Sequence, residues 1–136
     1  MLKIYPHLCF DGQCEQAFTK YQKLFGGDIV TMMRYGESPM ATKVDAQQHN
    51  KIIHASLLIG EVELAGADML TADYLKPQGF FVIINIQDFN QAKATFSGLA
   101  EKGEVKMAFA ETFWSKGFGV VIDRFNIPWE INCGEA

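Results

Sequence analysis

The 136-residue chain lacks the basic runs and the long apolar segments that mark several classes of protein. Lysine and arginine number 12 against 16 acidic residues, and no basic run exceeds one residue, which argues against nucleic-acid binding. The longest apolar stretch, 80–84, is far shorter than the roughly 20 residues that span a bilayer. No secretory signal precedes the first strand-like segment, so we expect a cytoplasmic protein without a membrane partner.

Cysteine is also scarce, and its spacing excludes a disulfide framework. Cys9, Cys14 and Cys133 are odd in number and lack CxxC spacing, so free and mostly buried thiols are expected. Hydrophobic residues make up 49% of the chain and charged residues 21%, which is typical of a soluble globular domain. A chain of this length buries enough surface to fold without a metal or a disulfide.

The most informative internal pattern is an offset of 75 positions that aligns the chain with itself. The matched residues occupy a helix-like stretch and the strand-like stretch after it, and each half carries glycine just past its helix. Two copies are too few for a solenoid, so the pattern predicts a duplicated supersecondary unit that closes one shared core. The matches are Gln16-Ala17 with Gln91-Ala92, Tyr21 with Phe96, Leu24 with Leu99, Val30 with Val105, and Met32 with Met107.

Hydrophobic periodicity predicts the order β-α-β-β-β in both halves. The predicted fold is α+β: a single domain, 1–136, with two tandem βαβββ modules at 1–68 and 79–136 and a connector at 69–78. Two such sheets can curve into an open, mixed barrel whose concave face is a ready ligand site. The predicted strands are 2–10, 29–35, 52–59, 62–67, 79–86, 104–109, 118–122 and 127–132; the helices are 13–25 and 89–102, and a polar loop takes 36–50.

Four stretches carry a resemblance to a known superfamily. They are Ala17-Phe18-Thr19-Lys20-Tyr21 with Phe25-Gly26-Gly27; Arg34-Tyr35-Gly36-Glu37-Ser38-Pro39; Ile53-His54-Ala55-Ser56-Leu57 with Ala67-Asp68; and Glu111-Thr112-Phe113-Trp114 through Asp123-Arg124-Phe125, Pro128-Trp129 and Ile131-Asn132. On these residues the chain resembles the vicinal oxygen chelate superfamily of glyoxalase, bleomycin-resistance and dioxygenase proteins. Within it, the chain is similar to the PhnB-like branch, often described as demethylubiquinone methyltransferase-like. The paired βαβββ fold that this implies agrees with the internal repeat.

The resemblance also implies a divalent metal, which the superfamily's enzymes use as a Lewis acid. The ligands come from the first and last strand of each half, and aligning the halves puts these positions at His7, Ala65, Phe81 and Glu130. His7 and Glu130 can ligate a metal, whereas Ala65 and Phe81 cannot, and His54 is a candidate third ligand. The cofactor is therefore left open, because only part of the ligand set is present.

Glu130 and His54 are the candidate catalytic residues. Glu130 lies between Trp129 and Ile131 and should point opposite to them, into the concave face, where a partly desolvated carboxylate suits proton abstraction or metal binding. His54 begins a strand after the polar loop and serves either at the site or in a structural hydrogen bond. His7 is a candidate ligand contact, with a half-buried histidine bonded to the backbone as the alternative.

Three further residues are candidate ligand contacts. Phe113 and Trp114 fall in a turn between two strands of the second half, where aromatic rings either stack on a flat ligand or fill the core. Arg34 is one of two arginines, so an anionic ligand group would use it or Arg124.

These observations leave three functions open. The first is an enzyme of lyase, isomerase or dioxygenase type that binds and transforms a small organic molecule. The second is a non-catalytic protein that sequesters a drug or metabolite, as bleomycin-resistance relatives do. The third, methyl transfer, is the least favoured because Gly26-Gly27 ends a helix and no GxGxxG motif occurs. A homodimer is expected, because open sheets leave strand edges that a second copy can cover.

Overall fold

The structure, a computed structural model, describes residues 1–134 of the chain. These residues form two compact units that divide between Leu75 and Lys76, and this boundary falls inside the predicted connector, 69–78. Within the described residues, the helices are too short to cross a membrane.

The first unit has one helix and one four-stranded mixed sheet. Its strand order is β1-β4-β3-β2, in which β1 pairs with β4 in parallel and the other neighbours are antiparallel. Three 3₁₀ turns, Tyr35–Glu37, Pro39–Lys43 and Ala46–Gln48, lie in the polar segment after the second strand. The elements are β1 (His7–Phe10), α1 (Cys14–Phe25), β2 (Asp28–Arg34), β3 (Ile52–Ile59) and β4 (Val62–Asp68).

The second unit repeats this topology with the strand order β5-β8-β7-β6. Its edge strand β5 pairs in parallel with β8, as β1 does with β4. The two βαβββ units and their open sheets confirm the predicted α+β class. The elements are β5 (Val82–Asn85), α2 (Phe89–Ala100), β6 (Glu104–Ala110), β7 (Phe118–Ile122) and β8 (Pro128–Asn132).

Each helix packs on its sheet through a stripe of apolar side chains, and in each unit one aromatic ring of the helix lies close to a glycine of the sheet. In α1 the buried stripe includes Phe18 and Tyr21, and a Cβ on Gly66 would lie 2.7 Å from the Phe18 ring. In α2 the corresponding contact is Phe96, whose ring would lie 2.5 Å from a Cβ on Gly119. Glycine at these two sheet positions therefore lets an aromatic side chain of the helix reach the sheet backbone.

Three predicted elements are shorter than expected by two residues or more, and one of them is β5, which spans Val82–Asn85 and not 79–86. The first strand begins at His7 and not at residue 2, because Pro6 has no N–H for the ladder and contributes its carbonyl alone, to Ala65 N at 3.1 Å. The second helix ends at Ala100, since Lys102 adopts a left-handed φ of 57° that an α-helix cannot continue.

Candidate functional site

In each unit one sheet face is covered by the unit's own helix, and we call the opposite one the helix-free face. In the first sheet, Gly66 faces α1, so its registered neighbours Ala55 and Leu8 do as well. The adjacent row, in which Ala65 pairs with both His7 and Ser56, lies on the helix-free face.

A hydrogen-bonded group centred on Glu63 occupies this face. Lys3 Nζ donates to Glu63 Oε1 at 2.9 Å, and the buried Ser56 Oγ donates to Glu63 Oε2 at 2.9 Å. The bond from Lys3, and then the bond from Ser56, lower the pKa of the Glu63 carboxyl from its ordinary value. The sequence analysis missed both Ser56 and Glu63, although strand alternation from His54 would have put Ser56 on the same face.

The two candidate histidines share the helix-free face of the first sheet without touching. His7 is on β1 and His54 on β3, with β4 between them, so they lie two strands apart, roughly 10 Å. Partial burial lowers the pKa of His7, and the positive charge of His54 lowers it further. His7 Nδ1 lies 3.9 Å from Cys9 Sγ, on its own strand.

The second sheet places Glu130 as strand alternation predicts. Gly119 faces α2 and pairs with Ile131, and both Ile131 and Trp129 are fully buried. Glu130, between them, therefore points to the helix-free face of the second sheet, where it is half-buried.

Glu130 has apolar neighbours on both sides, and the next row carries a pair of amides. The strand register puts Glu130 between Ile83 and Val120. Two positions along β8, Asn132 Nδ2 donates to Asn85 Oδ1 at 2.9 Å, while Asn132 Oδ1 is buried and accepts no hydrogen bond from residues 1–134. The sequence analysis missed this amide pair, although the alternation that oriented Glu130 also orients Asn132.

Hydrogen bonds to Asp123 fix the orientation of β8. This buried carboxylate accepts hydrogen bonds from Trp129 Nε1 at 2.9 Å and from the backbone N–H groups of Phe125 and Ile127 at 2.8 and 3.0 Å. The Asp-Arg-Phe and Pro-Trp motifs therefore have a structural explanation, because they fix the strand that carries Glu130.

The aromatic turn presents its rings outward. The side chain of Phe113 is 94% exposed and that of Trp114 is 43% exposed, so Phe113 does not fill the core. Their ring centroids lie 4.7 Å apart in an edge-to-face arrangement, and Trp114 contacts Phe118 in the same way at 5.4 Å. Buried Ser115 stabilises the turn by donating from Oγ to the Gly117 carbonyl at 2.7 Å.

Arg34 is already engaged by protein partners. Its Nη2 donates to Glu15 Oε2 at 2.8 Å, its Nη1 donates to the Asn50 carbonyl at 3.2 Å, and Glu37 Oε1 lies 3.9 Å from its Nε. These contacts connect α1 to the segment between β2 and β3, so a structural role accounts for this side chain.

The donor set does not fit the divalent metal that the resemblance implies. His7 is registered with Ala65 in the first unit, and Glu130 is registered with Ile83 in the second. The register therefore makes Ile83, two residues from Phe81, the position in the second unit that is equivalent to His7, and neither hydrocarbon side chain can bind a metal. Within residues 1–134 there is no group of three or more His, Cys, Asp or Glu side chains placed to hold a metal ion.

Comparisons with known proteins support the fold and the family resemblance. A family model described as 3-demethylubiquinone-9 3-methyltransferase matches residues 2–132. Protein YjdN of Escherichia coli (strain K12) is 31% identical over 135 residues, which are 93% of this chain and 92% of that protein. The crystal structure of protein PA1353 from Pseudomonas aeruginosa is 35% identical, with a TM-score of 0.91 over the whole of both chains.

A more distant structure supports the fold. The fosfomycin resistance protein FosX from Listeria monocytogenes has a TM-score of 0.64 at 13% identity, over 98% of this chain and 95% of that chain. At that identity the likeness concerns the fold alone.

Proposed function

The chain belongs to the family described as 3-demethylubiquinone-9 3-methyltransferase, and on that premise we propose that it binds a small organic molecule on the helix-free face of its second sheet. One observation carries this proposal: in the rows of Glu130 and Asn132, apolar side chains surround one carboxylate and one pair of amides. Ile83, Val120 and Phe118 supply the apolar surface, and Glu130 and Asn132 supply the polar groups. Small-molecule sites typically combine apolar walls with a few placed polar groups.

Within this site, Glu130 is the proposed proton acceptor. A half-buried carboxylate between hydrocarbon side chains is screened less by water than an exposed one, so it interacts more strongly with an acidic proton of a bound molecule. Phe113 and Trp114 are proposed ligand contacts, because their exposed rings lie in the turn that leads to Phe118. The role of His54 in proton transfer and the ligand contacts of His7 and Arg34 stay predictions.

The two alternative functions are sequestration of a drug or metabolite and methyl transfer. Sequestration of a drug or metabolite needs the same surface without turnover, so only a reaction assay separates it from catalysis. Methyl transfer, which the family description suggests, is the least supported. Gly26 and Gly27 follow α1 instead of leading into a helix, so they do not form the glycine-rich turn that binds a nucleotide-like cofactor.

Ligand binding can be tested with the full chain and a set of aromatic acids, alcohols, ketones and amines. Compounds that raise the melting temperature would be mapped by amide chemical-shift changes in ¹⁵N NMR spectra. We expect the largest shifts in β7 and β8, around Val120 and Glu130. Two results would contradict the proposed site: amide chemical-shift changes confined to other elements, or the failure of every compound in the set to bind.

Catalysis can be separated from sequestration with Glu130→Gln, and Glu61→Gln in the exposed β3–β4 turn is the matched control. For an enzyme, Glu130→Gln abolishes turnover of a bound compound and largely preserves its affinity, and Glu61→Gln changes neither. A tightly bound compound that is never transformed, with affinity unchanged in Glu130→Gln, would favour sequestration.

We also propose that the chain forms a homodimer, because each open sheet has edge strands whose backbone groups can pair or pack against a second copy.

A further inference from the structure

Two acceptor groups on the helix-free face of the second sheet have no donor in the described chain. The Glu130 carboxylate makes no hydrogen bond or ion pair with residues 1–134. Asn132 Oδ1 is buried and without a donor in the same range, while its amide nitrogen is held by Asn85. A buried acceptor without a donor is unfavourable, so a ligand that donates to Asn132 Oδ1 gains at that atom, and the Glu130 carboxylate offers a second acceptor on the same face.

The spacing of the two acceptors suits one compact donor group. Glu130 and Asn132 are two positions apart on β8, so their side chains leave the same face from Cα atoms roughly 7 Å apart. One of the acceptors is anionic and the other is neutral. A group with several N–H donors and a positive charge complements this pair better than a hydroxyl, which has one donor, or a carboxylate, which has none.

The surroundings favour a cation attached to an apolar body. Phe118 lies directly opposite Asn132, and the partly exposed ring of Trp114 contacts the Phe118 ring. Aromatic rings, whose faces attract cations, therefore flank this end of the site. At the Glu130 row, Ile83 is 59% exposed and provides an apolar surface together with Val120.

Building on the proposed function, we infer that the ligand class is a primary organic ammonium compound with an apolar or aromatic body. Its ammonium group donates to the Glu130 carboxylate and to Asn132 Oδ1. Its body lies along Ile83 and Val120, with Phe118 beside the charged end. Glu130 then determines specificity through its charge, in addition to any part in proton transfer.

Three compounds that share a phenyl body test this inference: 2-phenylethylamine, 2-phenylethanol and 3-phenylpropionate. Each would be titrated at pH 7 into the full ¹⁵N-labelled chain, with the amide shifts of β7 and β8 as the readout. We expect the ammonium compound to bind about tenfold or more tightly than the alcohol, as a charge-assisted contact implies, and the carboxylate to bind most weakly.

Variants then assign the preference to the two acceptors. Glu130→Gln should reduce the affinity for the ammonium compound to that for the alcohol, with little effect on the alcohol, whereas Glu61→Gln should change neither. Asn132→Asp loses the hydrogen bond that Asn132 Nδ2 donates to Asn85 Oδ1, but it keeps the acceptor and adds a negative charge, so it should tighten ammonium binding. Dispersed amide spectra establish that each variant is folded.

Several outcomes would overturn the inference. One is equal or tighter binding of the alcohol or the carboxylate; another is an ammonium preference that persists in Glu130→Gln. If neutral or acidic compounds bind at β7 and β8 and the ammonium compound does not, the ligand class is wrong and the proposed binding face stands. If none of the three shifts this face, the ammonium class is also wrong, and the proposed function then depends on the wider compound set.

Discussion

His7 shares a sheet face with a second imidazole, and this arrangement affects its titration. Partial burial and the charge of His54 both disfavour the imidazolium form of His7, so its pKa lies below the ordinary value. Below the ordinary histidine pKa, near 6.5, the unfolded chain therefore binds more protons than the folded chain. The stabilisation associated with neutral His7 is fully present above that pH and is lost as the pH falls through the folded-state pKa.

The His54→Gln variant tests this coupling. Removing the like charge should raise the pKa of His7, while burial, the larger cause, keeps it below the ordinary value. The measurement is a proton NMR titration of the His7 ring. His49→Gln is the matched control, because that ring is bonded to the Ala41 carbonyl in the polar segment. An unchanged His7 pKa in His54→Gln would show that the two rings are not coupled.

At the scale of elements, the two helices are capped by different means. Asp68, at the end of β4, is 1% exposed and accepts hydrogen bonds from Cys14 N at 2.9 Å and Ile52 N at 2.8 Å. It thereby ties the first turn of α1 to the beginning of β3. The second helix has a local cap instead, in which Asp88 accepts from Gln91 N at 2.8 Å.

Removal of the two caps should therefore have unequal effects. Asp68→Ala leaves two buried N–H groups without an acceptor and should lower the free energy of unfolding by about 3 kcal/mol. Asp88→Ala, at an exposed cap, should cost about 1 kcal/mol. Urea denaturation followed by circular dichroism measures both. Equal losses would mean that the bond between strand and helix adds no more than a local cap does.

The elements also show what can be predicted from sequence. Periodicity and glycine positions predicted α1 to within one residue, and the bounds of β3 and β7 without error. These signals are local to each element. The cap from Asp68 to Cys14 spans 54 positions, and such a contact depends on strand pairing that periodicity does not define.

In the candidate site, too, features local to one strand were predictable from sequence, and features that depend on strand pairing were not. Strand alternation predicted the direction of Glu130 correctly, since alternation is a property of one strand. The residue beside it was not predicted: Ile83 occupies that position, because register between strands decides it. The bond between Asn132 and Asn85 depends on the same register.

At the scale of the whole molecule, the exposed edge strands lead to the expectation of a dimer. Both β2 and β6 are edge strands, but β6 is the more exposed, since six of its seven residues are exposed against three of seven in β2. Its Val105 and Met107 are 48% and 44% exposed. Exposed apolar residues on an unpaired edge favour association with another strand.

We therefore expect β6 to take part in the homodimer contact, and light scattering after size exclusion tests this. The wild-type chain should elute at about twice its 15.2 kDa mass. A charge on the edge opposes pairing, so Val105→Lys should shift the mass toward the monomer. Val62→Lys is the control, because that valine is 62% exposed but lies on an inner strand. A wild-type monomer would refute the dimer, and a dimer that persists in Val105→Lys would place the contact elsewhere than β6.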